Sequence, residues 1–158
     1  MPLPAAILNS LERRLSVDDH LPWKAGKAMW KIVPGVSAGP FEFGHEPAEY
    51  FDILTGAFRK FRHLPDSEEI YAFGKDCVHL MVDDDNRIIQ ISIFRPHELY
   101  LGDLQLLDRP LQELAIALNS THYVFEPVDV GLESDELGMV LVEVDDRIDG
   151  VEVRILPH

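Results

Sequence analysis

The feature of this 158-residue chain that most restricts its fold is a correspondence of the sequence with itself. Shifted by 63 places, Gly39 falls on Gly102, Phe41 on Leu104, Phe43 on Leu106, Pro47 on Pro110, Phe51 on Leu114 and Ile53 on Ile116. Further on, at an offset of 62, Val78, Leu80, Val82 and Asp83 fall on Val140, Val142, Val144 and Asp145, and Ile89, Ile91 and Ile93 on Val151, Val153 and Ile155. Spacing of this kind reads as two copies of a roughly sixty-residue unit. One such unit alone is marginal, whereas a chain of this length buries roughly 70% of its unfolded surface, so a single domain is expected. Its parts are an N-terminal helix and connector over 1–28, a first unit over 29–96 and a second over 97–158.

Local patterns predict what each unit contains. Ile7, Leu8, Leu11 and Leu15 recur at helical spacing over residues 4–16. Strands are expected at Met29 to Val33 and Phe41 to Phe43, separated by the turn dipeptide Pro34-Gly35. Pro47 suits a first helical turn, and Phe51, Leu54, Phe58 and Phe61 then repeat at three and four, predicting a helix with one apolar face. Ile70 to Phe73 reads as a strand. Cys77 to Val82 and Arg87 to Phe94 alternate as a hairpin, with His79, Met81, Gln90 and Ser92 on the face opposite Val78, Leu80, Ile89 and Ile91. The second unit repeats the plan with a helix opened by Pro110 and striped by Leu111, Leu114 and Leu118, a strand at His122 to Phe125, and a hairpin of Met139 to Val144 and Val151 to Ile155. The expected fold is therefore α+β: two pseudo-repeated units, each a helix packed on antiparallel strands.

Charge narrows the partners. The chain carries 28 acidic against 14 basic residues, a net charge of -14. Nucleic-acid binding needs a cationic footprint, so no nucleic-acid partner is expected, while this field attracts cationic proteins. Acid concentrates in the second unit, at Glu126, Asp129, Glu133, Asp135, Glu136, Glu143, Asp145, Asp146, Asp149 and Glu152, and in the turn Asp83-Asp84-Asp85. One cysteine, Cys77, excludes an internal disulfide. No apolar run reaches the ~18 residues of a membrane span, so a cytosolic protein with no membrane partner is expected.

The combinations that suggest chemistry all lack a part. His45, Glu46 and Glu49 have no second histidine at the helical spacing of a metal site, and the second unit has Asp108, Arg109 and Gln112 in their place. Asp83 to Asn86 lacks the glycine and distal glutamate of a calcium loop and reads as a solvated turn. Cys77 and His79 share one strand face and point in parallel, reading as a half-buried thiol and a surface histidine. With no phosphate loop and no nucleophile elbow, neither enzyme activity nor a metal or cofactor is expected.

The string from Lys31 to Leu54 resembles the opening of small cytosolic bacterial immunity proteins, which neutralise secreted polymorphic toxins delivered to neighbouring cells, as by type VI secretion. The residues that carry it are Trp30, Ile32-Val33, Pro34-Gly35, Gly39-Pro40, Phe41, Phe43-Gly44 and Glu49. The second unit lacks the Pro-Gly and the Gly44 equivalent, so the resemblance implies a class of role and assigns no functional residue. Tandem units of this architecture are also similar to proteinaceous enzyme inhibitors whose halves form a concave sheet. The expectation is an immunity protein that holds a basic cognate toxin by contact, with Asp83, Asp84, Asp85, Glu133, Asp135, Glu136, Asp145, Asp146 and Asp149 as its binding surface. The alternative is a structural or regulatory module that homodimerises through the N-terminal helix or a hairpin edge.

Overall fold

The computed structural model describes residues 29–55 and 57–157. The expected N-terminal helix over 4–16 and the connector with Trp23 lie outside the described residues. Alternating side chains and turn glycines begin the described residues with three short strands, β1 (Trp30–Val33), β2 (Ser37–Ala38) and β3 (Phe41–Glu42), and a 3-10 turn at Pro47–Tyr50. Four antiparallel strands follow, β4 (Arg59–Phe61), β5 (Glu69–Phe73), β6 (Val78–Val82) and β7 (Ile88–Phe94). The second half has β8 (Leu99–Leu101), β9 (Leu104–Gln105), the helix α1 (Leu111–Asn119), then β10 (Glu126–Val128), β11 (Gly131–Ser134), β12 (Met139–Val144) and β13 (Arg147–Arg154).

These strands form two sheets. The larger has eight strands in the order β10-β11-β12-β13-β7-β6-β5-β4, antiparallel throughout. The smaller has five in the order β3-β2-β1-β8-β9, with β1 and β8 parallel. One layer of core lies between them: Trp30, Ile32 and Phe41 from the small sheet, Leu114 and Leu118 from α1, and Val78, Leu80, Ile91, Leu141 and Val153 from the large sheet belong to one buried cluster. Sheet against sheet plus helix is a two-layer solution that buries one face of each element.

This architecture corrects the expected α+β fold of two helix-on-strand units. Of the described residues 43% are strand and 12% helical, with one α-helix and two 3-10 turns, so the chain is mostly β. The second predicted helix forms as read, because Pro110 opens it and its leucine stripe finds the core. The first does not form. After Tyr50 the chain turns away, and the Thr55 N–H and hydroxyl donate to the buried carboxylate of Asp76 at 3.1 and 2.8 Å. An amide held there cannot donate to the carbonyl four residues back, so the helix cannot propagate. Phe58 then stacks on Phe51 and Tyr71, with ring centroids 5.2 and 5.3 Å away, and Phe61 ends strand β4. The three-four spacing of those phenylalanines therefore serves an aromatic cluster followed by a strand. In the second half, the strand expected at His122 to Phe125 is absent, and two strands the sequence did not predict, β10 and β11, form in the acidic stretch that follows.

The seam of the large sheet is the pairing of β7 with β13, which registers Phe94 against Gly150 and Gln90 against Arg154. Gly150 is required there by proximity: a Cβ on it would lie 2.5 Å from Cδ1 of Phe94. A side chain at 150 must displace the ring or part the strands. Gly150→Ala is expected to cost about 1–3 kcal/mol of unfolding free energy in urea titration, and Phe94→Leu in the same chain should recover most of that loss.

Candidate functional site

The small sheet and α1 cover one face of the large sheet. The other face carries no helix among the described residues and holds a groove of about 350 Å³. Side chains from β4 at the edge and from β12 line the same groove. Five strand spacings in a flat sheet would separate those strands by about 24 Å. The sheet therefore curls strongly, and its open face is concave.

Strand register decides what the groove floor presents. Arg59 pairs across to Ala72, Ala72 to His79, His79 to Ser92, Ser92 to Glu152, Glu152 to Val140, Val140 to Glu133 and Glu133 to Glu126. Directly opposed residues share a face about 5 Å apart, so these form one row across all the strands of the sheet, cationic at the β4 end and acidic at the β10 end. Phe61, Ile70, Met81, Phe94 and Val142 supply apolar walls on either side of it.

Two members of the row, His79 and Glu152, make no side-chain hydrogen bond or ion pair among the described residues. His79 stands edge-on to Phe94 and Phe61, with centroids 4.9 and 6.0 Å away, and its Nε2 is buried with no hydrogen-bond partner among the described residues. Burial, helped by the positive field of Arg59 and His63, pushes the imidazole down to about 4, so it is neutral at neutral pH. Glu152 is partly buried and makes no hydrogen bond or ion pair among the described residues. Desolvation raises its carboxyl above the usual carboxylate range against the opposing fields of Arg154 and His63. The neighbouring Arg154 is taken instead by Glu133, at 3.6 Å.

The residues chosen from charge do not form one surface. Since β12 runs parallel to β7, the β6–β7 turn holding Asp83, Asp84 and Asp85 lies at one end of the sheet and the β12–β13 turn holding Asp145 and Asp146 at the other. Asp135 and Glu136, between β11 and β12, share the end of Asp83 to Asp85. Both turns have structural duties. Asp83 Oδ1 accepts the amides of Asp85 and Arg87 at 2.9 and 3.0 Å, and the Asp146 carbonyl accepts the Leu111 N–H at 2.8 Å, satisfying the start of α1. Asp145 and Asp146 both adopt positive φ, 53° and 66°, which makes a two-residue turn of the hairpin type that favours Asp. Glu133 alone of the chosen acids lies in the groove-floor row.

Asp149 lies at the groove, but its carboxylate is engaged within the fold. It is 1% exposed, and its Oδ1 receives Arg95 Nε at 2.8 Å. Arg95 also reaches Asp108 at 3.1 Å, and Arg147 reaches the same Asp108 oxygen at 3.1 Å. Burial pushes the Asp108 carboxyl up, and the hydrogen bonds from the two arginines outweigh it and hold the group below its usual range. This network locks β13 to the chain after β7.

The other candidate chemistry is likewise redistributed. His45 lies between Glu42 and Glu49, 3.3 and 3.1 Å away, on an exposed turn, while Glu46 caps the 3-10 turn. The Glu46 amide is the main reason the Glu49 carboxyl is lowered. No group of three or more His, Cys, Asp or Glu among the described residues is placed to hold a metal. Cys77 is fully buried at positive φ in the turn before β6, so it does not share a strand face with His79, and His79 is a groove residue and not the surface histidine expected. No helix among the described residues is long and apolar enough to cross a membrane.

Two stability measurements check this geometry. For His79, whose pKa falls on folding from 6.5 to about 4, the unfolded chain binds the extra proton, so stability is lost as pH drops through that window, by about 3 kcal/mol in total; His79→Leu should flatten that limb. For Glu152, raised on folding, the cost appears only when the carboxyl ionises, so Glu152→Gln should stabilise at pH 7 and make no difference in acid. Asp149→Ala, which takes the buried partner of Arg95 and leaves that guanidinium only the exposed Asp108, should cost about 1–3 kcal/mol, whereas Asp84→Ala on the exposed turn should stay within about 0.5 kcal/mol.

Comparison with protein-family models, with curated proteins and with solved structures finds no match. The case for function therefore rests on the groove.

Proposed function

We propose that this chain is a binding protein of the immunity type, which neutralises a cognate basic toxin in the cytoplasm by holding it against the concave face of the large sheet. One observation carries the reading: an eight-stranded sheet whose open face presents a groove with an aromatic lining, a buried His79 Nε2 without a partner among the described residues, and the partly buried, unpaired carboxylate of Glu152 beside it. Folded chains satisfy buried polar atoms almost everywhere, and exceptions mark places where something else completes the set. The net charge of -14 and the acidic end of the row, at Glu126 and Glu133, favour a cationic protein as that partner. The resemblance of residues 31–54 to immunity proteins points to the same role.

The binding surface proposed on the hairpin tips is accordingly moved to the groove. Self-association through a sheet edge has less to support it: β4 carries Arg59 and Lys60 and β10 carries Pro127, features that discourage edge-to-edge pairing.

Affinity capture from the source organism's lysate at low and high salt, followed by calorimetry with the recovered partner, tests the proposal. Glu126→Lys with Glu133→Lys should weaken binding at least 10-fold and reduce its salt dependence, while Asp84→Lys with Asp145→Lys should change affinity less than 3-fold, as expected for charges outside the contact. Equal losses from both pairs, or a dimer that recruits no partner, would count against the groove.

A further inference from the structure

The row on the groove floor defines the chemistry of what it receives. Glu152 is a carboxylate held in the sheet without a hydrogen bond or ion pair among the described residues, and His79, two strands away in the same row, presents a buried Nε2 without a partner. Between them stands Ser92, and around them stand Phe61, Met81 and Phe94. A neutral imidazole nitrogen is a donor or an acceptor according to its tautomer, and as an acceptor it joins the carboxylate in facing a ligand rich in N–H groups. We propose that the groove is a receptor for one arginine side chain of the partner protein, whose guanidinium pairs with Glu152 and donates to His79 while its stem lies on the aromatic wall. This deepens the partner-binding reading and rests on it.

Three features select arginine over other occupants. Its planar guanidinium offers donors in several directions from one rigid group, so it serves a carboxylate and a second acceptor together, which the compact ammonium of lysine does less well. The plane is weakly hydrated and stacks on aromatic rings, as this protein already does with Arg59, whose guanidinium carbon lies 5.5 Å from the centre of the Phe61 ring. Third, Arg59 lies on the β4 side of the groove against the Phe61 ring and Arg154 is engaged with Glu133, so neither pairs with Glu152, which is left to receive an incoming cation. A cavity of about 350 Å³ has room for a whole arginine side chain and the backbone that carries it.

The test uses the full chain with labelled Glu152 carboxyl and His79 imidazole, titrated with N-acetyl-L-arginine amide and followed by NMR. Expected are saturable shifts at both groups with a dissociation constant on the order of 1 mM, since so small a probe has few atoms with which to bind. N-acetyl-L-lysine amide should bind several-fold more weakly and N-acetyl-L-leucine amide should give no saturable shift. Glu152→Gln should weaken the arginine probe at least 10-fold, and Asp84→Asn should leave it unchanged. Shifts that fail to saturate, that the leucine probe reproduces, or that survive Glu152→Gln would overturn the proposal. Failure here is separable from failure of the partner reading. Partner capture that Glu133→Lys abolishes, beside a silent arginine titration, removes the arginine receptor and leaves the binding face. Saturable arginine binding beside partner capture indifferent to every groove substitution supports the receptor and removes that face as the partner's site.

Discussion

Everything on the open face depends on the pairing of β7 with β13. Four strands of each half form their own meander, and neither alone has a face wide enough to curl into a groove. Hydrogen bonding from Gln90–Arg154 to Phe94–Gly150 makes one sheet of them, and it brings Ser92 beside Glu152. The seam is defended in two ways. The Phe94 ring occupies the space that a side chain at Gly150 would need, and the Arg95–Asp149 ion pair ties the strand ends. A buried pair of this kind adds little to stability over an apolar pair, but losing one partner is costly, so it fixes which strands meet.

The two faces of the sheet answer to different demands. On the core face, Val78, Leu80, Ile91, Ile93, Val151 and Val153 are buried to completion against the small sheet and α1. The groove face is curled enough to bury Ser92 and most of His79, and yet it supplies no partner among the described residues for His79 Nε2. That combination costs stability, as the downward shift of His79 and the upward shift of Glu152 both express. A protein concerned only with folding would fill these positions with threonine or valine, which suit a pleated surface at no electrostatic cost. Retaining a histidine and a glutamate there is intelligible if an external group completes them.

Much of the strand pattern was legible in the sequence. The alternation of Val78, Leu80 and Val82 placed β6, Met139 to Val144 coincides with β12, and Pro110 with its leucine stripe marked α1. Gly39 and Gly102, equated by the self-correspondence, both adopt positive φ in the turns of the small sheet, but the repeat does not carry through the large sheet: Val78 and Leu80 face the core, whereas Val140 and Val142, onto which they fall, face the groove. What was not legible depends on partners far along the chain. The helix after Pro47 is cancelled by Asp76, 21 residues beyond Thr55. Asp149 looked like a surface acid because composition cannot report Arg95, 54 residues earlier. Strands β10 and β11 hid in an acidic stretch with a proline and a glycine, signals that ordinarily mark a loop. His79, Ser92 and Glu152 were each visible as strand residues on the face away from the apolar stripe, but the row exists only through register across the seam.

The most direct measurement of the central claim is an NMR footprint of the captured partner on the labelled chain. Binding through the groove predicts the largest perturbations at His79, Ser92 and Glu152 and at the Met81 and Val142 methyl groups, with the turns at Asp84 and Asp145 unaffected. Perturbations confined to those turns, or to the small sheet, with the groove resonances unmoved, would contradict it.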